Sequence, residues 1–311
     1  MDDAAVIRMA ETLNARALAL RNSEEYAAGV HKKNVQGALT DLGPAKIADG
    51  FAQWQTARRF AKVPRHAPLP NLDPDEWEAS LRPGSGDKKV VVYSCIVGNY
   101  DLMQEPLYQS PNVDYVLYLA GATSPSAPGW DIRTVPDNIT DLGDNAFINR
   151  YIKFHPHELF ADTYDAAVYV DGNIQPVSDL SYYADLIEPT AGIALHYHRA
   201  RTTIAEEVEA CKALGKGNPG LMDQQVRRYV DEGYPLSYGL LECNVIATDL
   251  HSDVARSVFR DWWDEYSKSG SGRDQLALPY VLWKNHIPLE SVAKMGQNAY
   301  ADTKIYIADH R

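Results

Sequence analysis

The amino-acid sequence predicts an α/β fold whose sheet is mixed and mostly parallel, with helices on its faces. Three observations carry this. Val90-Val91-Val92-Tyr93-Ser94-Cys95-Ile96-Val97 is a nearly unbroken apolar, β-branched run, the pattern of a strand covered on both sides. Ala166-Ala167-Val168-Tyr169-Val170 is a second such run, and it leads straight into Asp171. Segments with apolar residues at helical spacing follow and separate these runs, so strands alternate with helices.

Taken in order, residues 4–21 are rich in Ala, Leu and Arg, which favour a helix, and a second helix is expected from Pro44, with Ile47, Phe51, Trp54 and Phe60 on its apolar side. A Pro/Gly-rich stretch from Pro64 through Pro83-Gly84-Ser85-Gly86 reads as a linker or an extended wrap. This divides the chain into a helical N-terminal extension with linker, residues 1–87, and a main domain, residues 88–311. Within the main domain, strands are expected at 90–97, 114–119, 166–170, 192–197 and somewhere in 238–248. A helix over 149–160 should bend at Pro156. Thr203-Ile204-Ala205-Glu206 fits a capping box, opening a helix with Ile204, Val208, Cys211 and Leu214 on one side and Gly215 at its end. Ser252 is placed to cap the next, with Val254, Val258, Trp262 and Tyr266 as its apolar face.

Composition narrows the function classes. The chain has 311 residues and a formal net charge of -12, from 42 acidic and 30 basic side chains. That argues against a general binder of nucleic acid or anionic membrane, which needs a basic footprint. The three cysteines, Cys95, Cys211 and Cys243, are far apart and form no CxxC pair, so buried free thiols are expected rather than a disulfide framework. No apolar run approaches the roughly 20 residues that span a bilayer. Met1-Asp2-Asp3 opens no basic-then-apolar leader. The expectation is a cytoplasmic protein.

Tyr169-Val170-Asp171-Gly172-Asn173 is the strongest local signal. It places an acidic residue just past the carboxyl end of a strand, where ligands bind in open α/β sheets. Asp171 and Asn173 could present two oxygens to Mn²⁺ or Mg²⁺; Asp-Gly-Asn is equally an ordinary tight turn. Arg150 and Lys153 lie three apart on a helix, hence on one face. They could reach a diphosphate or form a solvated basic edge. His196, His198, Arg199 and Arg201 cluster at another strand end, with the two histidines on one side if the strand is regular. That pair could bind metal, move a proton or hold an anion, or be two ordinary histidines. Glu242 and Asn244 lie in a hydrophobic strand-like segment where a carboxylate is costly without a partner. Arg273-Asp274-Gln275 begins a helix, where Asp274 is either a cap or a general base for an acceptor hydroxyl.

Val92 to Asp101, Asn149 to Lys153, Tyr169 to Asn173, His196 to Arg199, and Arg273 to Gln275 with Pro279 to Lys284 occur in an order that resembles a glycosyltransferase-like domain family. The family was long catalogued as a domain of unknown function and has bacterial members and plant members linked to mucilage and cell-wall polysaccharide. The resemblance covers about residues 88 to 290. It implies a GT-A-like nucleotide-diphospho-sugar transferase fold, in which Asp171 matches the first acid of an Asp-x-Asp and Asn173 replaces the second. It implies a nucleotide-diphosphate sugar as donor and a glycan-related hydroxyl as acceptor. Val97, Tyr100 and Asp101 would lie near the nucleotide, with Tyr100 on the base. Arg150, Lys153, Asp171, Gly172 and Asn173 would hold the diphosphate and any metal. Asp274 or Glu242 would act on the acceptor, with His196, His198, Arg199, Asn244, Arg273 and Gln275 near it. Two other readings stand beside this one: a metal-dependent hydrolase of amide lipids built on His196, His198, Asp171 and Asp274, and a non-catalytic sugar-nucleotide-binding protein.

Overall fold

The computed structural model describes residues 82–308, apart from positions 99, 102, 122–126 and 142. The expected N-terminal helices and most of the linker lie outside the described residues. Residues 82–89 have no regular structure and lie along the domain. The Gly84 amide donates to Asp179 at 2.9 Å, and the Ser85 hydroxyl donates to Asp185 at 2.9 Å.

The apolar runs form the middle of a six-stranded sheet. Its strands are β1 (Val90–Val97), β2 (Val113–Ala120), β3 (Asp131–Thr134), β4 (Ala166–Val170), β6 (Ile193–Tyr197) and β7 (Leu241–Asp249), ordered β3-β2-β1-β4-β7-β6. β1 pairs in parallel with β2 and β4, and β2 with β3, whereas β7 runs antiparallel to both β4 and β6. The expected mixed, mostly parallel sheet is therefore present. All eight residues of β1 are buried, because both sheet faces are covered, and this is why its sequence does not alternate.

One face carries Val91, Tyr93 and Cys95 against the larger apolar core. That core includes α2 (Asn145–Phe154), α7 (Asp253–Ser269) and α8 (Asp274–Lys284). The Tyr93 hydroxyl donates to the Lys153 carbonyl at 3.0 Å, which fixes α2 over the end of β1. The Phe154 and Trp262 rings, 4.4 Å apart, join α2 to α7; truncating either would cost about 3–5 kcal/mol. The other face carries Val90, Val92 and Ile96. It packs against a short helix, α4 (Tyr182–Asp185), and a two-stranded antiparallel sheet of β5 (Ile174–Pro176) and β8 (Ile305–Ile307).

Local signals hold closely. The helix expected over 149–160 breaks at His155, where Pro156 opens α3 (Pro156–Phe160). Thr203 and Glu206 form the capping box of α5 (Ile204–Ala213), and the Ser252 side chain caps α7. Two apolar-face assignments need correction. Leu214 and Val254 are exposed: Leu214 lies past the end of α5, and the buried stripe of α7 is Ala255, Val258, Phe259, Trp262 and Tyr266. α6 (Pro219–Asp231) was not expected, because it buries only Met222, Gln225 and Tyr229. Among the described residues no helix is long and apolar enough to cross a membrane.

Candidate functional site

A cleft of about 520 Å³ opens where β1 and β4 end and the antiparallel β7 begins. The sheet therefore delivers three groups of residues to one place. Val97 ends β1, and Tyr100 and Asp101 follow it; Asp171, Gly172 and Asn173 follow β4; Glu242, Cys243 and Asn244 open β7. Helix α2 adds Asn145, Asn149, Arg150 and Lys153, and the start of α8 adds Arg273, Asp274 and Gln275. Of the site residues expected from sequence, His196, His198 and Arg199 do not line the cleft.

Asp274 is not an N-cap; it is the first residue of α8, and Arg273 holds the cap position without a side-chain cap bond. Its carboxylate is buried, accepts a hydrogen bond from the Lys153 ammonium at 2.7 Å and one from Arg150 Nη2 at 3.4 Å, and is ion-paired with both. Trp262 Nε1 donates to its backbone carbonyl at 2.9 Å. Burial alone would raise the Asp274 pKa, but the charges of Arg150, Lys153 and Arg273 override it and hold the carboxyl well below the usual carboxylate range. A carboxylate so stabilised is a poor proton acceptor, which argues against the expected general base at this position. Arg150 and Lys153, expected as a cationic clamp, both line the cleft and are both paired with Asp274.

Asp171 is the open carboxylate, with its side chain 34% exposed and Oδ1 3.9 Å from the Lys153 ammonium. Gly172 permits a close crossing: a Cβ there would lie 3.3 Å from Asp101 Oδ2 and 3.0 Å from Ile96 Cγ1. Asn173 lines the cleft and also holds the chain end of β8. Its Nδ2 donates to the Ala308 carbonyl at 2.7 Å, and its own carbonyl accepts the Ala308 amide at 2.9 Å. The residue ties the end of β8 to the loop after β4.

These residues do not fit a cation held by protein alone. Among the described residues no three His, Cys, Asp or Glu side chains converge as a metal set. Of the expected pair, Asp171 lies beside a competing ammonium, and Asn173 spends its Nδ2 on Ala308, leaving a single neutral amide oxygen as its possible ligand. Asn244 Oδ1, buried with no hydrogen-bond partner, adds one neutral oxygen to this edge of the cleft.

The expected histidine pair is split. A register irregularity falls between Ala194 and His196, and β6 ends at Tyr197. His196 is fully buried, with Nε2 2.7 Å from Asp302. His198 lies behind Glu242. Its Nδ1 accepts backbone N–H groups from Ala200 and Arg201 at 3.1 and 3.0 Å, and its Nε2 lies 3.5 Å from Glu242 Oε2. Arg201 Nη2, a donor, reaches Nε2 at 2.9 Å, so three donors compete for the one ring nitrogen of a neutral imidazole that can accept. Burial, opposed by Glu242 and reinforced by Arg201, lowers the His198 pKa. Arg199 lies over the Tyr300 ring, 3.7 Å from its centroid. The metal-centred hydrolase arrangement is thereby dispersed: His196 faces Asp302, His198 lies behind Glu242, and the Lys153 ammonium stands between Asp274 and Asp171.

Sequence reasoning missed Glu207. It is buried on α5, bonded to Arg201 Nε at 2.5 Å, Arg273 Nη2 at 3.3 Å and Cys211 Sγ at 3.2 Å. Burial would raise its pKa, but Arg201, His198 and Arg273 lower it. It also missed Lys216 and Gly217, carried to the cleft by the turn after α5. The glycines of Gly215-Lys216-Gly217 were the available signal. The cleft thiols are inert: burial pushes Cys95 up to about 12 and Cys243 well above its ordinary value, so thiolate chemistry is absent at neutral pH.

No curated protein matches the chain. Similar solved structures include the WbbM bifunctional glycosyltransferase, at 13% identity over 65% of this chain and 38% of that one, with a TM-score of 0.40. Mouse xyloside xylosyltransferase 1 is similar at 10% identity over 63% and 82%, with a TM-score of 0.38. The galactosyltransferase LgtC, solved with donor and acceptor sugar analogues, is similar at 12% identity over 62% and 69%, with a TM-score of 0.35. The present chain spans less than half the length of WbbM. The family described as TOD1/MUCI70, glycosyltransferase-like domain, matches residues 130–305, more than half of the chain and reaching from just before β3 to the first residue of β8, and the chain belongs to this family.

Proposed function

We propose that the cleft binds a nucleotide-diphosphate sugar and transfers the sugar to a hydroxyl acceptor. The observation that carries this is Asp171. It is an open carboxylate at the end of a central strand, facing a cleft of about 520 Å³ at the carboxyl ends of β1 and β4. That is the ligand-binding edge of an α/β sheet, and the volume is within the usual range for small-molecule sites. Membership of a glycosyltransferase-like family supports the reaction class.

The residues divide the work as follows. Tyr100, 67% exposed at the cleft mouth, offers a ring face to the base. Asp171 accepts hydrogen bonds from sugar hydroxyls, because a bare carboxylate would repel a diphosphate. Glu242, with His198 behind it, takes the proton of the acceptor hydroxyl. As that oxygen bonds the anomeric carbon, the bond from carbon to the diphosphate oxygen breaks, and the nucleoside diphosphate leaves with the electron pair. No step is routed through a metal.

Differential melting with a panel of UDP- and GDP-sugars tests the reading. A rise in melting temperature with one donor, reduced in Asp171→Ala, is expected. No shift with any donor, alone or with Mn²⁺, would overturn it.

A further inference from the structure

We propose that Lys216 is the diphosphate-binding residue of the cleft, supplying the cation that Arg150 and Lys153 do not. The inference rests on the sugar-nucleotide reading and adds a residue to it.

The cleft is lined by four cationic side chains, Arg150, Lys153, Lys216 and Arg273. Their partners separate them. Arg150 and Lys153 hold Asp274, and Arg273 holds Glu207. Among the described residues, Lys216 is the lining cation without a carboxylate partner, and it is exposed. The lining acids, Asp101, Asp171, Glu242 and Asp274, balance the four cations, so the lining has no surplus positive charge to attract a diphosphate. An incoming dianion needs a side chain that can turn toward it without abandoning a buried carboxylate. Breaking a buried pair leaves an uncompensated charge, so Arg150, Lys153 and Arg273 are held in place by Asp274 and Glu207 and do not swing toward an incoming ligand. Lys216 meets the requirement, with a flexible stem and three donors on a compact charge.

The backbone is built to bring it there. Gly215 and Gly217 adopt φ of +65° and +71°, and Gly270 and Gly272 adopt +59° and +75°. The two glycine turns meet: the Asn218 amide donates to the Ser271 carbonyl at 3.1 Å. A Cβ on Gly217 would lie 2.7 Å from that carbonyl oxygen and 2.9 Å from Arg273 Cγ. Only a residue without a side chain permits this approach. The contact holds Lys216 at the cleft wall formed by Arg273 and Asp274, while its own side chain stays in solvent.

The test is titration calorimetry of wild type, Lys216→Met and Lys216→Arg with UDP, GDP and inorganic pyrophosphate. Lys216→Met should bind the preferred nucleoside diphosphate about 10- to 100-fold more weakly, the range of a lost charge-assisted hydrogen bond. Lys216→Arg should keep most of the affinity. Both variants should melt like wild type without ligand, since the residue is exposed. Equal affinity in Lys216→Met and wild type overturns the proposal while leaving the sugar-nucleotide reading intact. Pyrophosphate binding that depends on Lys216, without binding of either nucleotide, sustains the anion site and sinks the sugar-nucleotide reading. Absence of all binding sinks both.

Discussion

The Lys153 ammonium lies 2.7 Å from the Asp274 carboxylate, and both side chains are buried. This pair, with Arg150 on the same carboxylate, decides how the rest of the cleft is read. It pairs two cleft cations with one carboxylate and holds that carboxylate ionised. Removing the acid by Asp274→Ala leaves the buried Lys153 ammonium and the half-buried Arg150 guanidinium without their shared carboxylate. The expected loss is about 3–5 kcal/mol of unfolding free energy, measured by urea denaturation. A loss below about 1 kcal/mol would show that the pair is solvated in solution.

The same carboxylate sets an acid limit. Asp274 titrates below its ordinary value of 3.8 in the folded protein. Its stabilisation is therefore complete above that value and is lost as pH falls through the lower folded value. Wild type should lose stability below about pH 4 more steeply than Asp274→Asn, which has no such proton to take up. Parallel acid-unfolding curves for the two proteins would contradict this.

What the sequence revealed follows from what drives each element. β1 and β4 were legible because they are buried on both faces and their runs are apolar throughout. β3 was not, because Asp131-Ile132-Arg133-Thr134 is a largely exposed edge strand, where apolar patterning has little to act on. Asp171 was legible from its position after β4. The roles of Arg150, Lys153 and Asn173 were not, since each depends on a partner more than 100 residues away, Asp274 or Ala308. His196 and His198 were misplaced because a local irregularity in β6 breaks the alternation on which the inference rested.

Asn173 offers a sharp discrimination between ligand and anchor. Asn173→Asp restores an Asp-x-Asp pattern, so a metal-ligand role predicts a gain in Mn²⁺ binding. The structure predicts a loss of stability instead. The substitution removes the Nδ2 donor and sets a carboxylate oxygen against the Ala308 carbonyl, a cost of about 1–3 kcal/mol. Faster amide exchange at Ile307 and Ala308, with no new Mn²⁺ affinity, is the expected outcome.

Without nucleotide, Mn²⁺ should leave the melting temperature of the wild-type protein unchanged, because Asp171 is shared with the Lys153 ammonium and Asn173 is engaged elsewhere. A millimolar Mn²⁺ titration followed by calorimetry checks this. A stabilisation of several degrees, abolished in Asp171→Ala, would establish a cation site that the side-chain arrangement does not provide.

Glu242 and His198 carry the prediction about chemistry. The Glu242 side chain is 17% exposed to the cleft, and His198 Nε2 stands 3.5 Å behind it. The histidine is pinned by two backbone amides on Nδ1, and burial keeps it neutral at physiological pH. It can orient the carboxylate without neutralising it. Glu242→Gln should therefore lower kcat by about 10²- to 10⁴-fold, the usual contribution of a general base, while nucleotide affinity stays near wild type. His198→Gln should lower kcat less and leave KM for the donor unchanged. Because a folded-state histidine with a lowered pKa takes up its proton only at acid pH, the acid limb of the wild-type rate profile should change shape in His198→Gln. Equal loss of donor binding and turnover in Glu242→Gln would assign the residue to the donor rather than the acceptor, and an unaltered pH profile in His198→Gln would reduce the histidine to packing.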